Sequence, residues 1–227
     1  MSIPVITVDG PSGSGKGTVC QRLASTLGFN LLDSGALYRL TALASQRGGI
    51  DVSKESDVAE LARSLDVSFQ PSEKGVLVAL AGQDVSRDIR LEETAMGASV
   101  VAAYPSVRTA LLERQRSFQC SPGLVADGRD MGTTVFPDAE IKIFLTASAE
   151  ERARRRYQQL IDKGESANLR ALLEDIQARD HKDMQRSASP LRPAEDAVSI
   201  DSTSMPIQAV LDLVLELVKK RLDLPKS

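Results

Sequence analysis

The chain has 227 residues, 42 % hydrophobic and 26 % charged, enough for one buried core with a smaller lobe and typical of ordinary globular proteins. Its formal net charge of -3 argues against a general nucleic-acid or anionic-membrane surface, which needs a net basic face. Two cysteines, Cys20 and Cys120, stand in no metal-ligand spacing and are too few for a disulfide framework.

The amino terminus has no basic stretch leading into a long apolar one, and no run reaches the roughly 18 apolar residues of a membrane span. A cytoplasmic protein with no membrane or nucleic-acid partner is the expectation. Pro4 to Asp9 is an apolar, β-rich run. Glycines follow, and then Val19, Leu23, Ala24 and Leu27 recur at helical spacing until Gly28 stops the helix. Asn30-Leu31-Leu32-Asp33 reads as a second strand ending at Ser34-Gly35, which makes a βαβ unit. From Asp66 to Arg90 the pieces VSFQ, GVLVAL and QDVS, linked by PSEKG and AG, predict a small antiparallel insertion.

Gly123 to Asp127, Ile141 to Thr146 and Ala197 to Asp201 are three further apolar runs that end in polar or glycine-rich sequence. Between the last two, Ala149 to Ser189 holds two charged helical segments separated by Asp162 to Ser166, a hairpin able to move over a site. Ile207, Val210, Leu211, Val214, Leu217, Val218 and Leu222 form the apolar stripe of a closing helix. The alternation predicts an α/β fold, a doubly wound five-stranded parallel sheet whose ligands bind outside the carboxyl ends of the strands.

Gly10-Pro11-Ser12-Gly13-Ser14-Gly15-Lys16-Gly17-Thr18 lies between the first strand and the first helix and matches G-x-x-x-x-G-K. Glycines let backbone N–H groups turn toward an anion, the helix start adds positive potential, and a lysine there reaches β- and γ-phosphates. The stricter pattern continues with Ser or Thr, whereas here Gly17 intervenes and the hydroxyl comes one residue later, on Thr18. This GxxGxGKGT form resembles the phosphate loop of nucleoside monophosphate kinases, so phosphoryl transfer becomes the leading idea.

Transfer between two anionic nucleotides needs arginines at the strand ends and little covalent chemistry from the protein. Ser34 and Arg39 follow the second strand, Ser34 being either a helix cap or a ligand contact. Asp127, Arg129 and Asp130 follow the third, Asp127 suiting Mg²⁺ through water and Arg129 a phosphate. Arg152, Arg155 and Arg156 share one helix face, which is either solvated or faces an anion. Arg179, Asp183 and Arg186 lie at i, i+4 and i+7, and the lone His181 takes no role.

GPSGSGKGT, LLDSGALYR, VADGRDMGT and RDHKDMQRSASPL, in that order, resemble the bacterial cytidylate kinases nearly end to end. The resemblance implies a P-loop core (1–34, 91–148, 190–227), a monophosphate-binding region with a β insertion (35–90) and a helical lid (149–189). It implies transfer of the ATP γ-phosphate to CMP or dCMP with Mg²⁺, and a monomer is the expectation. Lys16, Arg129, Arg155, Arg156 and Arg179 would be catalytic, and Gly10 to Thr18 with Arg152 would bind ATP. Ser34, Arg39, Ser99, Arg108, Arg129, Asp130, Asp183 and Arg186 would bind CMP, and Thr18 and Asp127 would hold the metal indirectly. The adenine pocket is least defined, with Asp201-Ser202-Thr203 as its candidate. Kinases of UMP, AMP, dTMP or shikimate on the same framework, and a non-catalytic nucleotide-binding regulator, are the alternatives.

Overall fold

A computed structural model describes residues 3–72 and 75–222. The five expected runs are strands: β1 (Val5–Asp9), β2 (Asn30–Asp33), β6 (Leu124–Gly128), β7 (Ile141–Thr146) and β8 (Val198–Asp201). They form one sheet in the order β2-β6-β1-β7-β8. Central β1 pairs in parallel with β6, Val5 opposite Leu124 through Asp9 opposite Gly128, and with β7, Ile6 opposite Ile141 through Asp9 opposite Phe144. Every residue of β1 is buried, which is why it reads as a continuous apolar run rather than an alternation.

By compactness the chain divides into Met1–Leu32 with Arg116–Ser227, and Asp33–Gln115. In the first unit, α1 (Lys16–Leu27) and α8 (Ile207–Arg221) bury Val19, Cys20, Leu23, Val210, Leu211, Val214 and Val218 against Ile6, Val8, Val125, Ile143 and Leu145 of the sheet. Each such valine, leucine or isoleucine stabilises the fold by about 1.5–3 kcal/mol relative to exposure. The charged segments form α6 (Ala149–Asp162) and α7 (Leu169–Gln185), α7 having no buried residue.

The second unit holds α2 (Ser34–Arg47), α3 (Glu55–Arg63), α4 (Glu92–Val101), most of α5 (Pro105–Arg116), and an antiparallel sheet of β3 (Val67–Ser72), β4 (Gly75–Leu80) and β5 (Gln83–Asp84). Its core joins Ala36, Leu40 and Leu43 of α2 to Leu65, Val78, Leu80, Val85 and Ile89. The antiparallel insertion is present as expected. The helices α4 and α5 lie in a stretch where the sequence reading singles out no element, and α4 packs so closely on α2 that a Cβ at Gly97 would sit 3.1 Å from the Ala42 methyl.

Candidate active site

The carboxyl end of β1 delivers the chain into the glycine loop. A Cβ at Gly10 would overlap the carbonyl oxygen of Leu145 on β7, so no side chain fits there. Gly13 and Gly15 have φ of 77° and 92°, the left-handed backbone from which anion-binding loops are built. Protein donors tie down the loop's carbonyls: Arg152 Nη1 donates to Ser12 O at 3.0 Å, and both Arg155 Nη1 (3.4 Å) and Ser202 Oγ (3.2 Å) donate to Ser14 O. Lys16 opens α1, where the helix start favours anions. It is buried, and its Nζ donates to Pro11 O at 3.1 Å and lies 3.9 Å from Asp127 Oδ1. A Cβ at Gly17 would come within 3.3 Å of Asp127 Oδ2. Where the stricter motif has a hydroxyl residue, this chain has a neighbouring carboxylate instead, and Thr18 is exposed one residue later.

The end of β6 carries the next group. Arg129 Nε donates to Asp183 Oδ2 at 2.9 Å, and Arg186 Nη1 lies 3.9 Å from Asp183 Oδ1, so one carboxylate sits between two guanidinium groups. Asp183 and Arg186 are the i, i+3 neighbours that the spacing aligned, whereas Arg129 reaches the same carboxylate from the end of β6. The helix α7 ends at Gln185, and Arg186 is extended backbone just past it, its Nε donating to Ser189 O at 2.6 Å. Asp130 is buried at the start of a π-type turn, Met131–Val135. The N–H groups of Met131 and Gly132 donate to Asp9 Oδ1 and Oδ2, each at 2.8 Å. Burial pushes the Asp9 carboxyl up to about 7, against the lowering effect of those two bonds; the charges of Asp130 and Asp127 add to the rise.

On α6, Arg152 and Arg155 face the phosphate loop. Arg152 is buried, with Nε on Ala147 O (2.9 Å), Nη1 on Ser12 O and on Asp180 Oδ1 (both 3.0 Å), and Nη2 on Asp180 Oδ2. Four of its five N–H donors therefore go to protein acceptors. Arg155 Nη2 donates to Ser202 O at 2.6 Å, beyond β8. Arg156 and Arg179 are half-buried, His181 is exposed, and Arg154, also exposed, pairs with Glu151 at 2.9 Å.

In the second unit Asp33, not Ser34, caps α2: its Oδ1 accepts from Ala36 N at 3.0 Å and its Oδ2 from Arg39 Nη2 at 2.7 Å. Ser34, the first residue of the helix, is buried, and with Asp33 as the cap its hydroxyl is not used for capping. Arg39 Nε is buried with no hydrogen-bond partner among the described residues. Arg108 donates to Ala102 O at 2.9 Å and stacks over the Tyr38 ring at 5.4 Å, and Ser99 is half-buried on α4.

The described residues contain no cluster of three His, Cys, Asp or Glu able to cage a metal. Beside Lys16 stands the Asp127 carboxylate, and the loop also carries the Thr18 hydroxyl, one residue past Gly17, and Ser14 Oγ, which is buried without a hydrogen-bond partner among the described residues. An all-oxygen set this sparse fits Mg²⁺, which keeps several waters and takes phosphate oxygens beside one or two protein ligands.

The family described as cytidylate kinase matches residues 6–220. The chain belongs to the cytidylate kinase family. The cytidylate kinase of Stutzerimonas stutzeri (strain A1501) is 58 % identical over 221 residues, 96 % of each chain. That of Aeromonas salmonicida (strain A449) is 57 % identical over 219 residues, 96 % of this chain and 95 % of that one. That of Vibrio vulnificus (strain CMCP6) is 57 % identical over 219 residues, 96 % and 97 % of the two chains. Within this member of the cytidylate kinase family, sequence reasoning leaves out Asp9 and Asp180, and it gives Ser202 only a place in a candidate adenine loop. Asp9 had a signal in the sequence: a lone carboxylate ending an otherwise apolar strand directly before the glycine loop.

Proposed function

We propose that the chain transfers the γ-phosphoryl group of ATP to CMP or dCMP, giving ADP and CDP or dCDP. The observation that carries this is membership of the cytidylate kinase family across residues 6–220, with the phosphate loop inside the matched region. An oxygen of the CMP phosphate forms the new bond to the γ-phosphorus as the bond to the β,γ-bridging oxygen breaks. The protein's part is positioning and charge. Gly10 to Thr18 and Arg152 hold the ATP phosphates, and Lys16 with Arg155, Arg156 and Arg179 neutralises charge on the moving group. Bound Mg²⁺, held by the phosphates with Thr18 and Asp127 acting through water, supplies Lewis-acid polarisation of the phosphates.

For the acceptor, the family resemblance assigns Arg39, Arg108 and Arg129 to the CMP phosphate, and Ser34, Ser99, Asp130, Asp183 and Arg186 to the base and sugar. Cytosine carries an exocyclic amine where uracil carries a carbonyl, so a carboxylate that accepts from the amine selects cytosine. Asp130 and Asp183 are the candidates. The helices α6 and α7 act as a lid that excludes water during transfer. The chain works as a cytoplasmic monomer in this reading. Steady-state phosphorylation by Mg-ATP of CMP, dCMP, UMP, AMP, dTMP and shikimate tests it: CMP and dCMP are expected to have the highest kcat/KM. A faster reaction with AMP, dTMP or shikimate refutes the assignment.

A further inference from the structure

We infer that Asp9 is a positioning residue for the acceptor nucleotide, holding from the end of β1 the backbone turn that directly follows Arg129 and Asp130. The inference rests on the reading of those two residues as acceptor contacts.

Both carboxylate oxygens of Asp9 accept backbone N–H groups, from Met131 and Gly132, across a sequence separation of 122 and 123 residues. These N–H groups belong to the first two residues of the turn Met131–Val135. The first N–H groups of any helical turn have no partner within it, and an Asp directly before the turn is the usual local solution. Asp130 stands in that position, yet its side chain makes no capping hydrogen bond. The capping role has passed to Asp9 on a different strand, and the Asp130 carboxyl is not used for it.

The turn is also pressed onto β1. A Cβ at Gly132 would meet Thr7 Oγ1 at 2.9 Å and Lys142 Cδ at 3.2 Å. Arg129 lies two residues before Met131 and is bonded onward to Asp183, which neighbours Arg186. Asp9 is at the same time the residue before Gly10, the first of the phosphate loop. A single side chain thus connects the backbone that cradles the donor phosphates to the turn that presents acceptor contacts. In-line transfer tolerates little error in that spacing, since a displacement of about 1 Å can cost on the order of a hundredfold in rate. Burial of the carboxyl is costly, and an apolar residue at this position would leave two buried N–H groups without acceptors.

The test compares Asp9→Asn, Arg129→Ala and the double variant by KM for CMP, KM for ATP, kcat and thermal unfolding. Asp9→Asn keeps the shape but leaves one acceptor oxygen for two N–H groups. It is expected to raise KM for CMP about tenfold, the size of one lost buried hydrogen bond, and to lower kcat, with KM for ATP moving less than about threefold. Added to Arg129→Ala, it is expected to raise KM for CMP by much less than it does alone, because it acts through the displaced turn. If Arg129→Ala leaves KM for CMP unchanged, the reading of Arg129 as an acceptor contact fails. If Arg129→Ala raises that KM while Asp9→Asn lowers only the unfolding temperature, or raises both KM values alike, the positioning role is overturned. Should Asp9→Asn fail to fold, Gly132→Ala displaces the same turn from β1. It is expected to show the same CMP-selective defect, and an unchanged KM for CMP there overturns the inference.

Discussion

Arg152→Ala separates two roles that one arginine can play beside a phosphate loop. In the structure its side chain is 4 % exposed and that of its partner, Asp180, is 13 % exposed. Truncation removes both bonds to Asp180 and the donors to Ser12 O and Ala147 O. Removing one partner of a buried ion pair costs about 3–5 kcal/mol, because the other charge is left uncompensated. The residual exposure of Asp180 allows some rehydration, which places the expected loss near the lower end, about 3 kcal/mol. Releasing Ser12 also loosens the phosphate loop, so KM for ATP should rise severalfold. Urea unfolding of Arg152→Ala, Asp180→Ala and the double variant measures the first effect; a coupling free energy of roughly 1.5 kcal/mol or more is expected. If Arg152→Ala unfolds at the wild-type urea midpoint and only KM for ATP changes, the pair holds nothing together. Arg152 would then act on the phosphates directly.

Lys16→Ala is expected to lower kcat by roughly a hundredfold or more, the usual size of a lost transition-state charge contact, and wild-type turnover in that variant would defeat the assigned role. Burial raises the Asp9 carboxyl from 3.8 to about 7, so the stability linked to its neutral form is complete below about pH 4 and lost as pH rises through 7. The unfolding free energy of wild type, relative to that of Asp9→Asn, should therefore fall from pH 5 to pH 8 by on the order of 2 kcal/mol, and parallel pH curves for the two proteins would contradict this. A bisubstrate ligand joining ATP to CMP should slow amide hydrogen exchange in α6 and α7, since α7 has no buried residue of its own. Equal exchange with and without the ligand would argue against a closing lid.

The parts legible from sequence are those written in local pattern. Strands buried on both faces need continuous apolar runs, so β1, β6 and β7 announce themselves, and the glycine loop between a strand and a helix carries its chemistry in nine consecutive residues. Local pattern misleads where an element ends or where two residues compete for one task. Helical spacing aligned Arg179, Asp183 and Arg186, but α7 stops at Gln185, and the Asp183 carboxylate beside Arg186 also accepts from Arg129 at the distant end of β6, which no local spacing announces. Ser34 read as a possible cap, but the carboxylate one residue earlier fills that role.

By itself the sequence determined the parallel sheet, the antiparallel insertion, the phosphate loop and the family, because each rests on residue type at short spacing. Only the tertiary structure decided that Asp9 caps a turn 122 residues away, that Arg152 directs four donors into the protein, and that Asp127 stands beside Gly17. A hydrogen-bond partner is chosen by which backbones the sheet brings within about 3 Å, and that choice depends on register and packing rather than on any local run of residues.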